Sequence, residues 1–95
     1  MTQLQEWTIP NDTAQLWTTE AKREDMSVKA TWGFETTQNR SQYLAWAKRS
    51  LKEFDHVKED YFRRHFEGDQ HTLTLQTETH HKVLKVTVRW MAYPD

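Results

Sequence analysis

Residues 28–55, VKATWGFETTQNRSQYLAWAKRSLKEFD, read as a strand followed by a helix. In the first part, Val28, Ala30, Trp32 and Phe34 alternate with Lys29, Thr31, Gly33 and Glu35. That alternation places one apolar face on a half-buried strand. Gly33 falls on the polar side, where a strand glycine marks the close approach of another group. Asn39 offers an N-cap, and Gln42 stands at the capping-box position three residues on. Tyr43, Leu44, Ala47, Leu51 and Phe54 share one face at helical spacing, with Trp46 at its edge. Lys48, Arg49, Lys52 and Glu53 cover the other side. The spacing predicts a helix over 39–55, ended by Asp55-His56.

Downstream, residues 83–91 (VLKVTVRWM) repeat the alternation, with Leu84, Val86, Val88 and Trp90 on one face. This last strand is expected to span 82–91. Before it, 59–66 (EDYFRRHF) and 71–78 (HTLTLQTE) read as a hairpin turning at Gly68-Asp69. Such a turn sets Phe62 opposite Leu75 and, awkwardly, Arg64 opposite Leu73 on the inner face. A bulge would relieve that conflict. Thr79-His80-His81 leads into the last strand. Residues 1–26 are polar apart from Trp7, Ile9, Leu16 and Trp17. They are expected to form an N-terminal arm, either extended or a short helix over 13–23 capped by Asn11 or Asp12. The whole predicts an α+β fold in the order β-α-β-β-β. It has a four-stranded, mostly antiparallel sheet with one helix on one face. The arm (1–26) docks on a single domain (27–95).

Ninety-five residues suit one domain. The apolar fraction is only 36%, but five Trp, four Phe and three Tyr supply large buried areas, which argues against disorder. Thirteen basic and fourteen acidic residues leave a formal net charge of −1, which disfavours nucleic acid as a partner. With no cysteine, disulfides, thiolate metal sites and cysteine nucleophiles are excluded. No apolar run is long enough to span a membrane, and no signal-peptide pattern is visible. The chain is expected to be cytoplasmic if Met1 is the native start, and exported if Met1 replaces a removed signal.

Candidate chemistry is sparse. His56, His65, His71, His80 and His81 form no spaced metal-binding motif. Glu59, Asp60, Glu67, Asp69 and Glu78 sit at expected strand ends and turns, as ordinary solvated residues. Ser27, Ser41 and Ser50 lack a nucleophile elbow. Two glycines, Gly33 and Gly68, cannot build a phosphate loop. No catalytic residue, cofactor or metal is therefore assigned.

Two surfaces remain. The tryptophan surplus and the outward side chains mark an interaction surface of Trp7, Trp17, Trp46, Tyr61, Arg63 and Arg89. The leading expectation is a non-enzymatic domain acting through a protein partner or a homodimer. The alternative is a small-molecule or metal site near the 62–75 hairpin, between sheet and arm, with polar members His65, His71, Asp69 and Arg64. That reading predicts a concave pocket and a histidine with a shifted pKa. A weaker alternative is RNA held on the open sheet face by Arg63, His65, Lys85 and Arg89 around Tyr61.

Overall fold

The computed structural model describes residues 2–10, 13–18, 22–24 and 27–94. In chain order the elements are α1 (Thr2–Thr8), β1 (Thr13–Thr18), β2 (Lys22–Glu24), β3 (Ser27–Thr36) and α2 (Arg40–Ser50). They continue with β4 (Asp55–Lys58), β5 (Tyr61–Phe66), β6 (Asp69–His80) and β7 (Val83–Pro94). The strands form one antiparallel sheet in the order β1-β3-β7-β6-β5-β4, with β2 also pairing with β3. The domain is therefore α+β, but the sheet is larger than the expected four strands. Seven strands and two helices occur among the described residues. None of the helices is long and apolar enough to cross a membrane.

The core follows the alternation of the two central strands. On β7, Leu84, Val86, Val88 and Trp90 are buried; on β3, Ala30, Trp32 and Phe34 are. The register sets Trp32 opposite Val88 and Phe34 opposite Val86, and β6 brings Leu73 and Leu75 opposite Trp90 and Val88. Tyr43, Leu44 and Ala47 of α2 close over this face. The ring of Tyr43 meets Phe34 edge-on at 5.5 Å. The Asn39–Gln42 capping box forms in both directions, at 2.9 and 3.0 Å.

Helix α2 ends at Ser50, not at residue 55. Leu51 donates to the Ala47 carbonyl (2.8 Å), and Phe54 donates to the Leu51 carbonyl (3.0 Å). That tight turn keeps Leu51 and Phe54 buried while freeing residues 55–58 to pair with β5. The hairpin also differs from expectation. Its turn is Glu67-Gly68, both with positive φ (50° and 83°), as a two-residue primed turn requires. Phe66 then faces Asp69, Arg64 faces His71 and Phe62 faces Leu73. Moving the turn by one residue slides the pairing by two, and the Arg64–Leu73 conflict disappears without a bulge. A second left-handed pair, His81 (50°) and Lys82 (64°), links β6 to β7.

The N-terminal segment departs furthest from the sequence reading. Residues 13–18 are a strand, the extended alternative rather than the helix over 13–23, a helix lies earlier at 2–8, and the cap candidates Asn11 and Asp12 lie outside the described residues. Thr8, at the end of α1, is fully buried. Its hydroxyl accepts from the Trp32 indole at 2.8 Å, and its carbonyl accepts from the Tyr43 hydroxyl at 2.8 Å. The Ser50 hydroxyl donates to the Trp7 carbonyl at 2.6 Å. The Tyr43 and Ser50 bonds satisfy helix-end carbonyls that have no partner within the helix. Burial pushes the Tyr43 phenol far above its usual value, so it remains a neutral donor. The stability this contributes is complete at neutral pH and is lost as pH rises above about 10.

On the other side of the sheet, Trp17 stands opposite Gly33, and its indole lies where a side chain at position 33 would be. The Lys85 ammonium sits 5.2 Å from the indole centroid. Two outcomes follow. Thr8→Val should cost about 1–3 kcal/mol in urea unfolding, because the buried Trp32 N–H loses its acceptor. Gly33→Ala should cost about 1–3 kcal/mol through overlap with the indole, and that cost should largely vanish in a Trp17→Ala background.

Candidate functional site

Both helices lie on one face of the sheet, so its two sides present different chemistry. The outer side is organised in cross-strand rows by the pairing register. One row runs Thr31–Arg89–Thr74–Tyr61, and the next runs Lys29–Met91–Thr72–Arg63 and ends on Asp55 of the edge strand. Further along come Trp17–Gly33–Thr87–Gln76 and then Glu35–Lys85–Glu78. A shallow cavity of about 250 Å³ opens among Lys29, Thr31, Thr72, Thr74, Arg89 and Met91. The face is basic at the Lys29/Arg63/Arg89 end and acidic where Glu35 and Glu78 flank Lys85. Among the described residues no element covers it beyond the Trp17 indole.

The six residues read as an interaction surface do not form one patch. Trp17, Tyr61, Arg63 and Arg89 share the outer face. Trp7 and Trp46 belong to the helical side, half-buried against the core. The Trp46 ring lies 5.9 Å from that of Tyr43.

The helical side carries a groove of about 310 Å³ where α1 and the segment after α2 meet the end of the sheet. Trp7, Phe54, Arg64, Phe66, His71 and Trp90 line it, with Leu4 and Glu53 at its margin. The pairing of Arg64 with His71 sets its floor. The Arg64 guanidinium lies 4.3 Å from the Phe66 ring centroid and 5.6 Å from that of Phe54. Its Nη1 donates to Glu53 Oε2 at 3.1 Å. The Trp90 indole donates to His71 Nδ1 at 3.4 Å, which leaves Nε2 as the protonated nitrogen of a neutral ring. Burial holds the His71 pKa below its usual value; the Arg64 charge adds to this and Asp69 partly offsets it.

Of the polar residues read near the hairpin, Arg64 and His71 line this groove. Asp69 lies on the same side of the sheet, opposite Phe66, and reaches His71 only through its charge. His65 is opposite Gln70 on the outer side, because no bulge turns it toward His71. Sequence reasoning did not join Phe54, Phe66 and Glu53 to this group. The one available signal was an aromatic beside a turn, Phe66, which the structure leaves 44% exposed. Among the described residues no three His, Asp or Glu side chains converge to hold a metal ion. The paired rings of His80 and His81, 4.2 Å apart, mark the β6–β7 turn.

The depressed His71 pKa has a sign. Between the folded value and the unfolded value of about 6.5, the unfolded chain binds more protons. The stabilisation is present above that range and lost as pH falls through the folded pKa. Urea midpoints should therefore drop more between pH 7.5 and pH 5 for the wild type than for His71→Asn. In comparisons with known proteins, the chain matches no family model, no curated sequence and no solved structure.

Proposed function

We propose that this is a non-enzymatic association domain whose outer sheet face docks against a second copy of the chain. The observation that carries this reading is the bipolar face. Its Lys29/Arg63/Arg89 end and its Glu35/Glu78 end lie on either side of a threonine-rich centre. A two-fold axis through that centre sets each end over its opposite, the self-complementarity an isologous dimer needs. Tyr61 and Trp17 lie within the same rows and supply aromatic area of the kind enriched at interfaces.

The sheet edges favour the face over strand addition. β4 has four residues, all exposed, a register irregularity after His56, and charged ends at Asp55 and Lys58. β1 is irregular between Thr13 and Gln15. Short, bulged and charged edges are how sheets avoid pairing with another chain. The carboxylates on the face, Glu35, Glu78 and Asp55 beside Arg63, also work against a polyanion such as RNA.

Sedimentation velocity over a concentration series tests the reading. The wild type should show a dimer that weakens with added salt. Arg89→Glu, an exposed change at the basic end, should leave the thermal midpoint within a few degrees while abolishing the dimer. A wild type that stays monomeric at high protein concentration, or an R89E variant that dimerises equally well, would count against it.

A further inference from the structure

We infer that the groove between α1 and the β5–β6–β7 end of the sheet binds a small aromatic carboxylate, with Arg64 as its counter-ion and Phe66 and Trp90 as its walls. The groove faces away from the proposed dimer surface, so neither reading depends on the other.

The argument begins with Arg64. Phe66 and Phe54 hold its guanidinium in place, which removes much of the rotamer entropy an arginine gives up on binding. The ion pair with Glu53 engages Nη1 alone. Among the described residues the remaining guanidinium N–H groups meet no acceptor. A planar carboxylate matches that fork in two parallel hydrogen bonds. Glu53 is a weak competitor, since its side chain is 58% exposed and exposed ion pairs contribute little.

The walls point to an aromatic body. Phe66 is 44% exposed at the rim, with one side on Arg64 and its edge toward His71 at 6.2 Å. Trp7 and Trp90 complete the lining. A volume of about 310 Å³ lies at the low end of small-ligand pockets, roughly 300–1,000 Å³, so the ligand is small. Neutral His71 keeps an N–H donor on Nε2 and adds no competing charge. A cationic ligand is disfavoured because Arg64 already occupies the aromatic faces on which it would stack. A phosphate is disfavoured because the groove lining supplies a single basic side chain.

The test titrates isotope-labelled protein with 2-naphthoate and, as the uncharged counterpart, 2-naphthamide. The indole N–H signals of Trp7 and Trp90 and the ring of His71 report binding. The acid is expected to shift these signals saturably and the amide far less. Arg64→Gln should weaken acid binding by about tenfold or more. Glu53→Gln, an exposed change that keeps the fold, should tighten it several-fold by removing the competing carboxylate. Equal binding of acid and amide overturns the assignment. So does affinity unchanged in both variants, or the absence of any shift up to about 10 mM acid, beyond the range of a specific site.

Discussion

A seven-residue helix has no stability of its own in water, yet α1 is held against the core by its last two residues. The constraint is the carbonyl groups at its C-terminal end. Burying them without partners would cost more than the packing of Leu4 and Trp7 returns. Two side chains of α2 meet that need, Tyr43 at the Thr8 carbonyl and Ser50 at the Trp7 carbonyl, while Trp32 of β3 donates to the Thr8 hydroxyl. The arrangement is reciprocal, because a buried indole N–H and a buried phenol also require partners. Thr8 supplies both, one through its hydroxyl and one through its carbonyl. The position of Trp7 and Leu4, and hence one wall of the groove, follows from this small polar knot inside an apolar core.

The two sides of the sheet show how one strand serves two environments. On β3, Trp32 and Phe34 point into the core, while the residue between them has no side chain. Gly33 gives up packing of its own so that Trp17 can lie flat on the backbone. Beyond that indole the outer face carries threonine, glutamine, Tyr61, Met91 and charges of both signs. Such a surface is stable in water.

The parts of this fold legible in the sequence are those with one buried and one wet side. Strands β3 and β7 and the capped start of α2 carry such periodicity. Three features lacked it. In β1, the two large apolar residues, Leu16 and Trp17, are adjacent in the sequence, which hides any alternation. In β4 every residue is exposed, and nothing in its composition marks a strand. At the hairpin, Gly68-Asp69 is a sound local turn, but placing Phe62 beside Leu73 in the core selects Glu67-Gly68 instead. The site was legible only as an inventory. Arg64 and His71 stood out as polar residues near a hairpin, while their meeting with Phe66, Trp90 and Trp7 depends on that register and on α1.

Strand β7 pairs along its length with both β3 and β6, yet it is the last strand in chain order. During synthesis the β1–β3 unit and the β4–β6 unit emerge first, each with an apolar face and a raw edge, and neither can join the other. The two half-sheets wait for residues 83–94, which pair with β6 as a local hairpin and reach back across α2 and the β4–β6 unit to pair with β3. Assembly of this domain is therefore a late and concerted event with high contact order. Until then the nascent chain exposes the apolar faces of β3 (Ala30, Trp32, Phe34) and β6 (Leu73, Leu75) to whatever holds unfolded chains in the cell.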